Sequence, residues 1–217
     1  MHNRSPRQLA PACACRVVKV GGSLLDLPGL GHTLQTWLAA QPPLANLLVV
    51  GGGTLADQVR RLDQLYHLPG DAAHWLAIRA MDLNGYVLSH LVPGARWIPD
   101  CTAWTRDPTA AGQELWVLAV EPFLRHGEPA FRGRRLPCGW QVTSDSIAAR
   151  VAAVCQATEL VLLKSVDPAP QGAALSLSRA ASLQWVDEFF PASAESLQRI
   201  RAVNLRDPAF AEVRLTA

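Results

Sequence analysis

Four short aliphatic and β-branched runs constrain this chain most: RVVKV at 16–20, LLVV at 47–50, LWVLAV at 115–120 and ELVLL at 159–163. None shows the in–out alternation of a half-exposed strand, so each strand they form must be covered on both faces, as in a parallel sheet. The stretches between them space their apolar residues by three and four. They lie at 30–40, at 54–67, at 71–92 behind a capping Asp71, and at 144–157, which is alanine-rich. Strand alternating with helix implies right-handed crossovers. The expected fold class is therefore α/β, a three-layer αβα sandwich with a mainly parallel central sheet. Segments 93–113 and 121–139, rich in Pro, Gly and Arg, and segment 167–178 read as connections. Residues 16–217 read as a single domain behind a frayed tail at 1–15.

Composition narrows the function classes. With 49% hydrophobic and 18% charged residues in 217, the chain can bury a core and is not of the disordered class. A net charge of +2 gives no electrostatic case for nucleic acid, and the basic RGRR at 132–135 reads as a solvated loop. No apolar run approaches the ~20 residues of a membrane span. Cysteines at 13, 15, 101, 138 and 155 and six scattered histidines lack metal-ligand spacing. No metal ligands are expected, and reduced thiols fit a cytoplasmic protein.

The chemistry-bearing residues fall where the strands end. Gly21, Gly22 and Ser23 follow the first strand, and Gly51, Gly52 and Gly53 follow the second. Glycines let backbone amides approach an anion closely, and the dipole of a following helix favours negative charge. Two such turns on one sheet edge point to phosphates on two ligands. Of 20 cationic residues only two are lysines, Lys19 and Lys164, and each ends a strand on that same edge. Asp167 follows the second. Asp145 lies at the start of the 144–157 helix with Thr143, Ser144 and Ser146 around it, and on residue type alone it reads as an N-cap. Trp140, just before, is either core packing or an apolar wall. Two cations over two anion cradles suit phosphoryl transfer, in which charge must be neutralised and the partners aligned.

KVGGSLL, VVGGG, TSDSIAARVA and LLKSVD, in that order, resemble the amino acid kinase family over residues 16–168. The Pro137–Ala149 block is similar to that of its methanofuran-biosynthesis branch, which uses ATP to convert an aminomethylfuran-methyl phosphate to the diphosphate. The resemblance implies an ATP- and Mg²⁺-dependent kinase for a small phosphate acceptor, assembled as a homo-oligomer (dimer or hexamer). It implies that Lys19 bridges the transferred group and that Asp145 orients the lysines. Gly21, Gly22, Ser23, Lys164 and Asp167 would serve the nucleotide. Gly51, Gly52, Gly53, Arg79, Trp140 and Thr143 would serve the acceptor. Two departures stand out. The later glycine-rich loop with a second catalytic lysine is missing, so either Lys164 takes that role or the nucleotide site is altered. The usual Thr-Asp-Val-x-Gly reads Lys-Ser-Val-Asp-Pro here. The competing readings are a kinase for uridylate or another small phosphate or carboxylate acceptor, and a non-catalytic nucleotide- or oxyanion-binding subunit.

Overall fold

The structure, a computed structural model, describes residues 14–99, 114–131, 133–167 and 174–216. Residues 1–13 of the expected 1–15 tail (with Cys13), residues 100–113 (with Cys101) and 168–173, Arg132 and Ala217 lie outside the described residues, while Cys15 is not frayed but opens the first strand, buried. In chain order, β1 (Cys15–Val20) passes through a 3₁₀ turn (Gly22–Asp26) into α1 (Leu30–Ala39), and β2 (Ala45–Val50) leads to α2 (Gly53–Tyr66) and α3 (Ala72–Leu91). Next come β3 (Ala95–Ile98), β4 (Leu115–Leu118), the short α4 (Val120–Pro122), α5 (Ser144–Val154) and β5 (Glu159–Lys164). The chain closes with β6 (Leu175–Ser176), α6 (Leu177–Ser182), α7 (Phe190–Ala194), β7 (Ile200–Asn204) and β8 (Glu212–Thr216).

One eight-stranded sheet, ordered β3-β4-β2-β1-β5-β7-β8-β6, runs through these elements. All its pairings are parallel except that of β7 with β8. The expected sandwich is present. α5 and α7 cover one face of β1 and β5, against Val17, Leu160 and Leu162; α1 and the end of α3 cover the other, against Val18, Val161 and Leu163.

Several boundaries differ from the sequence reading. The strand expected over 115–120 stops at Leu118, and Val120 opens a run of helical turns that reaches Ala130 inside the expected 121–139 connection. The 93–113 connection holds β3, and 167–178 holds β6. β3 is a partly exposed edge strand of four residues, too short to show a continuous apolar run. β8 alternates exposed with buried residues, as expected of a strand paired antiparallel and covered on one face. Asp71 stands at the N-cap of α3 but makes no cap hydrogen bond; its carboxylate accepts from the Trp75 indole instead.

Candidate active site

Side-chain alternation decides where the lysines point. In β1, Cys15 and Val17 face the α5 layer, and Lys19 follows two residues on; in β5, Leu160 and Leu162 do the same, and Lys164 follows. β1 and β5 are paired with Lys19 opposite Leu162. Both ammonium groups therefore emerge at the carboxyl ends of adjacent strands, on the face that α5 covers.

α5 presents Asp145 to them. The N-cap role belongs to Thr143, whose Oγ1 accepts from the Asp145 N–H at 3.3 Å. This leaves the Asp145 carboxylate for the lysines. Its Oδ2 accepts from Lys164 Nζ at 2.7 Å, and its Oδ1 lies 2.9 Å from Lys19 Nζ as an ion pair. Both Asp145 and Lys19 are only 5% exposed, so neither is a solvated surface charge. Burial alone would push the Asp145 carboxyl up, but the two ammonium groups outweigh it and hold it down at about 2. Burial, joined by the Lys19 ammonium, pushes Lys164 down to about 8 against the pull of Asp145 and Asp187. Lys164 also donates to the Trp185 carbonyl at 2.9 Å. Both ammonium groups contact the one carboxylate of Asp145, which leaves N–H donors on each for phosphoryl oxygens.

Asp187, in WVDEFF, is a residue that the sequence did not single out. Its carboxylate accepts from the N–H and Oγ of Thr143 and from the N–H and Oγ of Ser146, at 2.5–3.2 Å. It thus clamps the α5 N-terminus that carries Asp145.

The glycine turns meet rather than face each other across a gap. Gly21 N–H donates to Leu163 O and Gly51 N–H to Val20 O, both at 2.9 Å, which extends the sheet pairing. Beyond them a Cβ on Gly22 would stand 2.2 Å from Gly53 N, and one on Gly53, at φ +50°, 2.7 Å from Gly22 O. Asn84 of α3, also without a sequence signal, donates to Gly51 O at 2.9 Å and Gly52 O at 2.8 Å, fixing the second turn.

A cleft of about 210 Å³ opens beside the turns, lined by Gly22, Ser23, Gly52, Gly53, Trp140 and Thr143 among others. Trp140 is thus a wall, held by donation from its Nε1 to Asp63 at 2.8 Å and by the Arg60 guanidinium 4.6 Å from its ring centre. Arg79 is not brought in: it is exposed and pairs with Glu121 at 3.0 Å. On the other side of the first turn, Ser23 Oγ lies 2.8 Å from Ser165 Oγ, and Arg206 donates to Ser23 O at 3.1 Å. Asp167 accepts from Asn204 at 2.7 Å. Arg206 is a cation that the sequence reading did not single out.

The sequence profile of the amino acid kinase family matches residues 14–168. The chain belongs to the amino acid kinase family. It is accordingly an ATP-dependent phosphotransferase. Over 183 residues it is 27% identical to the [5-(aminomethyl)furan-3-yl]methyl phosphate kinase of Methanocaldococcus jannaschii, an alignment that covers 81% of this chain and 80% of that protein. Its fold resembles that of the uridylate kinase of Archaeoglobus fulgidus, with TM-score 0.59 and 16% identity over 93% of this chain and all of the other. It also resembles the UMP kinase of Ureaplasma parvum, with TM-score 0.63 and 14% identity over 94% of this chain and all of the other.

Proposed function

We propose that this family member transfers the γ-phosphoryl group of ATP to a phosphate monoester, making a diphosphate, with an aminomethylfuran-methyl phosphate as the acceptor. The observation that carries the reading is Asp145 holding both lysines of the chain at the ends of neighbouring strands, beside two touching glycine turns. An oxygen of the acceptor phosphate attacks the γ-phosphorus, the bond to the β,γ-bridging oxygen breaks, and ADP leaves with that electron pair. Lys19 neutralises the group in flight, and Lys164 takes the place of the missing later lysine. Asp145 keeps both ammonium groups aligned. Ser23 and Arg206 serve the nucleotide side; Gly52, Gly53 and the α2 N-terminus hold the acceptor phosphate. Mg²⁺ arriving on the nucleotide phosphates would offset their charge there, and Asp145 would stay with its two lysines. The chemical identity of the acceptor rests on the named relative.

The enzyme works as one catalytic domain over 16–217, in the cytoplasm, and as a homo-oligomer. Among the described residues no helix is long and apolar enough to cross a membrane. What supports the oligomer is the set of exposed apolar side chains on α2 (Leu62, Leu65, Tyr66) and on α3 (Leu83, Tyr86, Val87). ADP release from ATP with a panel of phosphate monoesters, UMP included, tests the reading. Fast turnover of the aminomethylfuran phosphate supports it; UMP phosphorylated far faster would move the enzyme to the uridylate class. Binding of nucleotide with no turnover of any acceptor would make it a non-catalytic member.

A further inference from the structure

One face of α2 runs along the acceptor cleft. Gly53, Ala56, Asp57 and Arg60 line it, at helical positions i, i+3, i+4 and i+7. The opposite wall is apolar, with Ala77, Ile78 and Met81 from α3, and Trp140 closes the cleft on another side. Asp57 is the one carboxylate among the described lining residues. It stands one helical turn past the glycine cradle, about 6 Å along the axis at a rise of 1.5 Å per residue. Arg60 Nη1 holds its Oδ1 at 3.1 Å, and the same guanidinium is braced on the Trp140 ring. Asp57 Oδ2 carries no such clamp.

We infer that Asp57 selects acceptors bearing a cationic amine at the end remote from the phosphate, so that the cleft reads a zwitterion: phosphate at the α2 N-terminus, ammonium at Asp57. This rests on the proposed phosphate-monoester kinase reading and adds the residue that sets its specificity. The reach fits: a five-membered ring with a methylene on each side separates phosphate from amine by roughly one helical turn plus a side chain. An anion at the far end would meet the unclamped Oδ2 of Asp57 with like charge, and a neutral end would leave that oxygen to water alone. Arg60 is the positioning residue, because it fixes the rotamer of a carboxylate that is otherwise exposed to water.

The test compares the aminomethylfuran phosphate with the same furan phosphate carrying a methyl group in place of the aminomethyl group, in wild type and Asp57→Asn. Wild type is expected to favour the amine by about thirtyfold in kcat/KM, and Asp57→Asn to reduce that preference to within about threefold. Asp57 is surface-accessible, so the variant should melt with wild type. Equal turnover of the two acceptors by wild type, or a preference that survives in Asp57→Asn, overturns the inference while leaving the kinase reading in place. If wild type phosphorylates neither compound, the furan phosphate falls as the acceptor. Calorimetry of both compounds then decides the inference: tighter binding of the amine, lost in Asp57→Asn, upholds it, and equal affinities overturn it.

Discussion

At the residue scale, the site depends on one carboxylate between two ammonium groups. Asp145→Asn leaves two buried cations facing each other across a neutral amide. We expect turnover to fall by about a hundredfold or more in steady-state assays, because misplaced catalytic groups cost that much. Removing one partner of a buried charge cluster should also cost roughly 3 kcal/mol in chemical denaturation; loss of a cap alone would cost about 1 kcal/mol and spare the rate. Lys164 sets the pH dependence. Its folded pKa is lowered to about 8, so it loses its charge as pH rises through that value, and kcat/KM should fall along a basic limb near pH 8. Lys164→Arg does not titrate there, so a pH profile of that variant should lack the limb, at a lower plateau. Asp145 works in the opposite sense. Its lowered pKa gives stability that is fully present above about 3.8 and lost as pH falls through about 2. The sequence marked Lys19, Lys164 and Asp145 because they were rare or sat at element ends. Asp187 and Asn84 could not be marked, since a lone acid or amide acquires its role only from what folds against it.

At the element scale, the N-terminus of α5 is held from outside by Asp187, and the second glycine turn by Asn84. Asp187→Ala removes the acceptor of four donors around Thr143 and Ser146. We expect about 2–3 kcal/mol of lost stability by thermal melting, and a drop in kcat that exceeds any change in KM, because the element it anchors carries Asp145. Gly22→Ala should be more damaging, since its Cβ would lie 2.2 Å from backbone that has no room to move; little soluble protein in an expression trial is the expected result. The buried parallel strands and the long helices were legible because each is a continuous or periodic apolar signal. β3, β6 and β8 were not, being short, at or near the sheet edge or covered on one side, and β7 was not because Arg201 and Asn204 interrupt its apolar run.

At the scale of the whole molecule, the alternation of buried strands and amphipathic helices was enough to give the sandwich, and the strand-end residues were enough to give the edge where the two lysines meet Asp145. The cleft beside the glycine turns was less legible: the Arg79 side chain pairs with Glu121 and does not line it, and Asp57 and Arg60 lie on a helix face whose direction only packing reveals. The exposed apolar side chains of α2 and α3 should bury themselves between copies, so Leu83→Asp is expected to reduce the molecular mass seen by light scattering to that of one chain. The transfer itself is tested most directly by following ATP and the aminomethylfuran phosphate with ³¹P NMR, in wild type beside Lys19→Arg, with a thermal melt of each. Wild type should yield ADP and a new diphosphate, while the folded Lys19→Arg should be slower by at least about a hundredfold, since a planar fork does not replace a compact ammonium. Bound substrates with no P–O–P bond formed, or a folded Lys19→Arg turning over at the wild-type rate, would contradict it.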